Sequence, residues 1–273
     1  MNEIIFKHNK IYIENVKNFD LAQTLDCGQA FRWSQYNGRW CGIAGGKYIE
    51  LYKENNSIVI EGASQEEFED FWRHYFDLER DYGVIIESVS VNATVKAAAE
   101  FGGGIRILNQ EPWEALCSFI ISQNNNIPRI KGIIERLCEC FGEKIEGGYT
   151  FPTAQKIAML TLEDLAPLRC GFRAKYILDA ARLVSSGDII LENLKGMDFD
   201  TAQSELMRVK GVGPKVADCT LLFGLGHIEA FPKDVWIKRA LEEYFDGELP
   251  ESAREYAGIV QQYIFYYIRE NSR

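Results

Sequence analysis

Residues 205–240 read ELMRVKGVGPKVADCTLLFGLGHIEAFPKDVWIKRA, and this stretch decides the fold of the C-terminal part of the chain. A helix is predicted to end near Val209, and Gly211 and Gly213 then form a Gly-x-Gly turn. Pro214 stands where a new helix takes proline at its first position. Two helices joined by such a turn make a helix-hairpin-helix, which we predict over about 199–226.

The turn of this hairpin is suited to holding a phosphate. Glycines let the backbone lie against the anion, and the free N–H groups and dipole at the start of the second helix favour negative charge. A turn of this kind binds a DNA backbone without reading its sequence. A plain turn between two helices remains the alternative. A P-loop is excluded because the Gly-Lys-Ser/Thr ending is missing.

Two ionisable residues near the turn predict a chemical function. Lys215 falls in the first turn of the second helix, whose positive end disfavours a charged ammonium, and a neutral lysine amine is a nucleophile that forms Schiff bases. Asp234 precedes the next helix. It either caps that helix or stabilises a developing sugar cation. A lysine and a carboxylate beside a DNA-backbone clamp indicate cleavage of an N-glycosidic bond.

Outside this stretch, the hydrophobic patterning predicts an α+β protein. The first sixty residues read as antiparallel sheet, and Asn37-Gly38 is a hairpin signal because both residues accept positive φ. Strands are predicted over 31–35, 39–43, 47–53 and 57–61. A capping box, Ser64 with Glu67, then opens a helical region. Further helices are predicted over 111–123, 128–141, 174–186, 199–209, 214–225, 233–245 and 252–270. We expect an N-terminal antiparallel sheet domain with the first helices (1–100), packed on a mainly helical domain (101–273).

Composition sets limits on the class of protein. The chain has 273 residues, 47% of them hydrophobic and 26% charged, which is ordinary for a globular protein. No apolar run approaches the ~20 residues of a membrane helix, and Met1–His8 resembles neither a signal nor a transit peptide. A cytoplasmic protein without a membrane partner is therefore expected. Its seven scattered cysteines lack CxxC spacing, which argues against disulfides and a metal site.

The net charge of −10 taken alone argues against a nucleic-acid partner. The charges are unevenly distributed, however. Residues 129–182 hold nine bases and seven acids, and residues 205–239 hold six bases and four acids. A DNA-binding face on a globally acidic protein is therefore compatible with the sequence.

Four further motifs in the right order make the resemblance to one family specific. They are Cys27–Trp33 (CGQAFRW), Ser118–Ile130 (SFIISQNNNIPRI), Gly171–Tyr176 (GFRAKY) and Ala257–Phe265 (AGIVQQYIF). With VGPKVADC at the hairpin, the chain resembles the 8-oxoguanine DNA glycosylase/AP lyase family of the helix-hairpin-helix/Gly-Pro-Asp superfamily, in its bacterial-type form. The iron–sulfur relatives carry four cysteines after the catalytic Asp, whereas the last cysteine here is Cys219.

The resemblance implies a base-excision enzyme that flips the damaged base out of the duplex and removes it. Lys215 would form the Schiff base and Asp234 would stabilise the sugar cation, after which β-elimination would nick the strand. The matching base-pocket positions are Gly28, Cys219, Gln261 and Phe265. In the pocket, the Gly28 carbonyl would accept the N7 proton that 8-oxoguanine has and guanine lacks. Without the resemblance, Gly28 reads as a turn glycine, Cys219 and Phe265 as core residues, and Gln261 as a polar helix residue.

The resemblance also implies a set of DNA contacts. Asn124 would fill the space that the base leaves, Phe172 would act as a wedge, and Arg129 and Arg173 would grip the orphaned cytosine. Without it, the two arginines read as phosphate contacts or surface ion pairs. The remaining DNA-binding positions are Gly211, Gly213, Val216 and Trp236. Two of the DNA-binding positions depart from the family pattern, which has Tyr where this chain has Phe172 and His where it has Trp236. A third departure is Ile268, where the family pattern has an acidic residue.

The expected partner is double-stranded DNA containing 8-oxoguanine, bound by a monomer in the nucleoid of a bacterium or archaeon. No metal or organic cofactor is expected to be required, although the hairpin backbone is a candidate cation site. Two alternatives remain. One is a monofunctional glycosylase for alkylated bases, and Lys215 argues against it. The other is a non-catalytic helix-hairpin-helix DNA-binding protein, and the presence of both Lys215 and Asp234 argues against that.

Overall fold

A computed structural model of the protein describes residues 3–90 and 92–271. The first two residues of Met1–His8, the stretch that was compared with signal and transit peptides, lie outside these residues, as do Val91, Ser272 and Arg273. The N-terminal part is a six-stranded antiparallel sheet with strand order β1-β2-β6-β5-β4-β3. Its strands are β1 (Glu3–Lys7), β2 (Lys10–Glu14), β3 (Trp33–Tyr36), β4 (Arg39–Ala44), β5 (Lys47–Glu54) and β6 (Ser57–Glu61).

The hairpin prediction in this sheet is confirmed. Asn37 (φ 48°) and Gly38 (φ 79°) both take the positive φ that a two-residue turn between β3 and β4 requires. The predicted strands over 47–53 and 57–61 are β5 and β6. The sequence had not singled out β1 and β2, which add the outer edge of the sheet by pairing β2 with β6.

The predicted capping box after the sheet is also confirmed. The Ser64 hydroxyl accepts from the Glu67 N–H, and the Glu67 carboxylate accepts from the Ser64 N–H. The helical stretch that follows is divided into three parts: α2 (Gln65–Glu67), a π-helical turn (Phe68–Trp72) and α3 (Arg73–Tyr75). Trp72 and Tyr75 pack edge-on against each other beneath the sheet, where Tyr75 accepts a hydrogen bond from the buried Trp33 indole.

The helical body follows. Before it, the sheet region contributes a short helix, α1 (Leu21–Leu25). The body contains α4 (Tyr82–Val89), α5 (Ala93–Phe101), α6 (Pro112–Ser122), α7 (Ile127–Phe141), α8 (Ala154–Ala158), α9 (Arg173–Ser186), α10 (Leu191–Leu194), α11 (Phe199–Leu206), α12 (Pro214–Leu225), α13 (Val235–Tyr244) and α14 (Ala257–Asn271). It also contains the small hairpin β7 (Lys144–Ile145) and β8 (Gly148–Tyr149). No helix among these residues is long and apolar enough to cross a membrane.

Two predicted helices were too long. The helix predicted over 199–209 ends at Leu206, because the Val209 and Val212 N–H groups bond in turns to Leu206 and Val209. The helix predicted over 252–270 is a 3-10 turn, Glu251–Ala253, followed by α14. The break arises because the Gly258 N–H bonds to the Ile228 carbonyl, outside its own helix. A Cβ on Gly258 would lie only 2.9 Å from the Ala230 carbonyl oxygen, so this approach needs glycine.

Apolar side chains form two core clusters. One lies under the sheet and includes Trp33 and Trp72, and the other fills the helical body. Helices α4 and α5 belong to the helical cluster, whereas Leu108 belongs to the sheet cluster. The two parts therefore interlock around the domain boundary that we place at residue 100, and that boundary stays a prediction.

The sheet region and the helical body are also joined by polar contacts. Arg32, just before β3, forms a buried ion pair with Glu114 of α6 at 3.3 Å and donates to the Tyr149 carbonyl of β8. Lys131 of α7 donates to the Trp33 carbonyl at 2.9 Å. These contacts fix the loop at residues 26–32 against α6 and α7, which is where the candidate site is assembled.

Candidate active site

The helix-hairpin-helix is confirmed, with α11 and α12 joined by the turn at 207–213. Gly211 has φ 78°, and a Cβ there would lie 2.4 Å from the Tyr176 ring. Gly213, by contrast, is extended (φ −105°) and has no atom within 4 Å of a Cβ position. Open space therefore lies beside Gly213 at the start of α12. Pro214 has no N–H, and the Val216 and Ala217 N–H groups bond to the Gly213 carbonyl. Val216 is buried in the core, so its side chain is not available to a phosphate.

Lys215 lies in the first turn of α12 and is half-buried. Its ammonium nitrogen is 5.4 Å from the centre of the Phe119 ring, which α6 places directly behind it. The Cys219 thiol lies one helical turn further along the same face, and the Lys215 charge acts on it. Burial raises the pKa of this thiol to about 11, while the neighbouring Lys215 charge opposes the shift. Cys219 is therefore an uncharged neighbour of the amine at physiological pH.

Asp234 forms the N-cap of α13, because its carboxylate accepts from the Ile237 N–H at 2.8 Å. The capping interpretation of this residue is thus confirmed. The same carboxylate is close enough to Cys219 to act on the thiol electrostatically, as Lys215 does. The charges of Lys215, at the start of α12, and of Asp234, at the start of α13, thus both act on one thiol.

A second carboxylate lies behind the lysine. Asp218 of α12 is 8% exposed and accepts a hydrogen bond from the Gln203 amide of α11, so it ties the two hairpin helices together. Burial raises the pKa of Asp218 to about 6, against the opposing charges of Lys233 and Lys215. The sequence analysis had not assigned Asp218 a role, although its position three residues after Lys215 was visible.

The predicted base-pocket residues come from three separated segments. Gly28 has φ 93°, and the position of a Cβ on it is 3.5 Å from Cε1 of Phe265 and 3.5 Å from Ile127. Gln261 lies one turn before Phe265 on α14 and is buried, and its Oε1 has no hydrogen-bond partner in the part of the chain that the structure describes. An unpaired buried amide oxygen costs about 1–3 kcal/mol, which a bound ligand can recover. Gly28, Phe265 and Gln261 are thus brought together.

Two glutamines that the sequence analysis missed hold this part of the pocket. Gln29 is fully buried, donates to the Thr24 and Arg106 carbonyls and accepts from the Leu108 N–H. Gln262 of α14 donates to the Cys27 carbonyl at 3.1 Å. Both flank predicted pocket residues in the sequence, and that adjacency was the only available signal. They fix the backbone on both sides of Gly28.

The predicted DNA-contacting residues surround the start of α7 and the start of α9. Asn124 is exposed at positive φ (47°) in the loop between α6 and α7, and Arg129 is exposed in the first turn of α7. Phe172 is 49% exposed at the tip before α9, and the Arg173 guanidinium lies 4.5 Å from the centre of its ring. Trp236 is 40% exposed on α13.

Arg173 is buried, whereas the sequence suggested a residue at the surface. It is 3% exposed and donates to the Gln123, Asn124 and Cys170 carbonyls, so it holds the Asn124 loop in place. Burial and the neighbouring positive charge of Arg129 lower the pKa of Arg173. The two guanidinium groups are therefore close together. In this structure Arg129 alone of the pair is exposed.

Among residues 3–90 and 92–271, no group of three or more His, Cys, Asp or Glu side chains is arranged to hold a metal ion. All seven cysteines are free thiols, five of them buried.

Comparisons with known proteins assign the two parts of the chain. Residues 11–116 match the 8-oxoguanine DNA glycosylase N-terminal domain, and residues 117–257 match the HhH-GPD superfamily base excision DNA repair protein domain. An N-glycosylase/DNA lyase of Saccharomyces cerevisiae is 33% identical over 264 residues, covering 86% of this chain and 70% of that protein. A probable N-glycosylase/DNA lyase of Methanothermobacter thermautotrophicus is 29% identical, covering 94% and 95%.

A solved structure is similar over the full length. It is the Clostridium acetobutylicum 8-oxoguanine glycosylase/lyase in complex with double-stranded DNA containing cytosine opposite 8-oxoG. It shares 40% identity with this chain, with a TM-score of 0.93 over 100% of this chain and 99% of that one. The sheet, the helical body and the hairpin with its lysine thus define a base excision DNA glycosylase of the HhH-GPD superfamily. Within that class, the chain belongs to the 8-oxoguanine N-glycosylase/DNA lyase family.

Proposed function

We propose that this chain excises 8-oxoguanine from double-stranded DNA and then cleaves the abasic strand with the same lysine. The observation that carries the proposal is the position of Lys215. It stands in the first turn of α12, directly after a glycine turn that has open space at Gly213, and it is half-buried over the Phe119 ring. A DNA backbone held at the turn would bring a sugar to the amine.

The base pocket would lie between Cys219 and Phe265, with Gly28 and Gln261 at its polar edges. The Gly28 carbonyl would accept the N7 proton of 8-oxoguanine, which guanine lacks. A guanine would leave that carbonyl unpaired, so one contact gives discrimination of about 1–3 kcal/mol. The unpaired Oε1 of Gln261 supports this assignment, since it lacks a partner that the Watson–Crick edge of a purine supplies.

The DNA side would be organised by the two loops that the family motifs mark. Asn124 and Phe172 are exposed and would enter the duplex at the vacated position and beside it. Arg129 would donate to O2 and N3 of the orphaned cytosine. Arg173 would join it after exchanging one of its carbonyl partners for the base, and its contacts to Gln123 and Asn124 would couple cytosine binding to the placement of the Asn124 loop.

The chemical steps would use only the residues of this chain. The neutral Lys215 amine attacks C1′ as the C1′–N9 bond breaks, and the base leaves with the proton that the attacking amine loses. Asp234 stabilises the positive charge that develops on the sugar. The sugar ring then opens: the C1′–O4′ bond breaks, O4′ takes a proton, and the nitrogen lone pair forms the C=N bond of the Schiff base. Loss of a C2′ proton forms a C2′–C3′ double bond, and the 3′ phosphate leaves as the C3′–O bond breaks. No metal or organic cofactor takes part, and the site of action would be chromosomal DNA in the nucleoid.

A strand-cleavage assay tests this function. An 8-oxoguanine·cytosine duplex is incubated with the protein, and the products are analysed with and without alkali. The proposal expects cleavage without alkali for the wild type and none for Lys215→Gln. Cleavage only after alkali would instead indicate a monofunctional glycosylase. No cleavage in either arm would overturn the substrate assignment.

A further inference from the structure

Arg269, on the last turns of α14, reaches across to the loop that carries Gly28. Its Nη2 donates to the Asp26 carbonyl at 2.9 Å, and its Nε donates to the Glu270 carboxylate at 3.0 Å. The guanidinium carbon lies 5.8 Å from the centre of the Phe265 ring and 5.5 Å from that of Tyr266. Two hydrogen bonds and two aromatic rings therefore fix one orientation of the group.

The remaining nitrogen of this guanidinium, Nη1, is buried. Among residues 3–90 and 92–271 it has no hydrogen-bond partner. It lies 3.6 Å from the position of a Cβ on Gly28, a position that is also 3.5 Å from the Phe265 ring. A buried unpaired donor is unfavourable, and a charged one more so. The unsatisfied N–H group therefore lies close to Gly28 and to the Phe265 ring, the two residues that would hold the Hoogsteen edge and the face of the flipped base.

We propose that Arg269 Nη1 donates a hydrogen bond to the C8 carbonyl oxygen of the bound 8-oxoguanine. This inference rests on the proposed function. In the purine, C8 is bonded to N7, so a base whose N7 proton is accepted by the Gly28 carbonyl has O8 next to Gly28, the residue to which Nη1 lies close. Guanine carries a hydrogen at C8 and offers no acceptor there. Arg269 thus adds a second contact by which the pocket distinguishes the lesion, and it reads the oxygen that defines the damage.

Equilibrium binding separates this contact from a structural role. Lys215→Gln is used as the background so that no substrate is consumed. Three duplexes carry 8-oxoguanine, 8-thioguanine or a tetrahydrofuran abasic analogue opposite cytosine. 8-Thioguanine keeps the N7 proton but has sulfur, a weak acceptor, in place of O8. The abasic analogue has no base. Arg269→Leu removes the donor, and Arg254→Leu removes an exposed arginine that pairs only with Glu248 and Glu251.

We expect Arg269→Leu to weaken binding of the 8-oxoguanine duplex about tenfold, binding of the 8-thioguanine duplex about twofold, and binding of the abasic duplex not at all. Arg254→Leu should change none of them. Equal weakening for the two lesions would mean that Arg269 only positions Gly28. Weaker binding of the abasic duplex by Arg269→Leu would mean that Arg269 contacts the DNA backbone. Unchanged binding of the 8-oxoguanine duplex would mean that Arg269 does not contact the base. Each of these results overturns the inference.

Two controls keep the test decisive. Thermal unfolding shows whether Arg269→Leu is folded. If it is not, Arg269→Gln replaces it, because its shorter side chain cannot keep the Asp26 bond and reach O8 together. Failure of the proposed function itself is seen separately, as wild-type protein that does not cleave the 8-oxoguanine duplex. Cleavage by the wild type with no O8-dependent loss in the variant would refute only the role of Arg269.

Discussion

At the scale of single residues, the site contains two kinds of group. The chemistry of some can be predicted from the sequence, whereas the role of others depends on the fold. Lys215 and Asp234 were predicted from their positions after the hairpin turn and before a helix. Arg173 was predicted as a DNA contact, but its burial under Gln123 and Asn124 depends on how α6 and α9 pack. Local sequence carries no information on that packing.

The first residue-scale prediction concerns Arg129. It is the exposed member of the arginine pair, so Arg129→Ala should reduce the preference for cytosine over adenine opposite 8-oxoguanine about tenfold, within the ~1–3 kcal/mol that a good bidentate base contact supplies. Single-turnover excision rates on the two duplexes measure this preference. Arg182→Ala, which alters another exposed arginine, should leave the preference unchanged. An unchanged preference for cytosine in Arg129→Ala would contradict the assignment of Arg129 to the orphaned cytosine.

The second residue-scale prediction concerns the pH dependence of stability. The pKa of Asp218 is raised to about 6, because burial favours the neutral acid. The folded state therefore binds this proton more tightly than the unfolded chain does, and stability falls as the pH rises from about 4 to about 6. Above that pH range the buried, ionised carboxylate of Asp218 lowers the free energy of unfolding by about 1–3 kcal/mol.

Asp218→Asn removes that cost and keeps an acceptor for Gln203. The variant should be more stable than the wild type at pH 8 and nearly equal to it at pH 4, as measured by urea unfolding. Asp164→Asn is the matched control, since hydrogen bonds from Thr161 lower the pKa of that exposed carboxyl and substitution there should bring no gain at pH 8. Lower stability of Asp218→Asn at pH 8 would contradict the account.

At the scale of secondary-structure elements, the predictions succeeded where the signal was local. The Asn37-Gly38 turn, the Ser64 capping box and the proline at the start of α12 each depend on a few adjacent residues. The break before α14 was missed because it depends on Gly258 meeting Ile228, a contact between distant segments. The π-helical turn at Phe68–Trp72 was missed as well, and it carries no comparable sequence signature.

The hairpin turn gives the element-scale prediction. Gly211→Ala must place a methyl group against Tyr176 at positive φ, so we expect a loss of stability of about 1–3 kcal/mol. Gly213→Ala has open space around it, so its stability should change by no more than about 0.5 kcal/mol. The new methyl group would nevertheless stand where a phosphate approaches. Binding of undamaged duplex, followed by fluorescence anisotropy, should weaken several-fold. Wild-type DNA binding by Gly213→Ala would show that the turn does not contact the backbone.

At the scale of the whole molecule, the sequence predicted a sheet domain and a helical domain but not how they interlock. Leu108 lies in the helical half of the chain and packs under the sheet, whereas α4 and α5, which lie before residue 101 except for the last residue of α5, pack in the helical core. Contacts such as that of Arg32 with Glu114 join residues far apart in the sequence, so no local sequence pattern predicts them. They matter for function because they hold the Gly28 loop against α6.

The Arg32–Glu114 pair gives the whole-molecule prediction. Burial raises the pKa of Glu114, and the Arg32 charge keeps it from rising further. Arg32→Met leaves a buried carboxylate uncompensated, so we expect a loss of about 3–5 kcal/mol in the free energy of unfolding. Arg32→Met with Glu114→Leu should recover a large part of that loss. Arg73→Met, which breaks the more exposed pair with Glu69, should cost about 1 kcal/mol or less. A double variant no more stable than Arg32→Met would contradict this account.

The central claim is that Lys215 is the nucleophile for both base removal and strand cleavage, and covalent trapping tests it most directly. The protein is incubated with an 8-oxoguanine·cytosine duplex and sodium borohydride, which reduces a Schiff base to a stable amine. The account predicts a protein–DNA adduct with the wild type and none with Lys215→Gln, while Lys215→Gln still binds the duplex. An adduct that persists in Lys215→Gln, or alkali-labile sites formed by the wild type without any adduct, would contradict it.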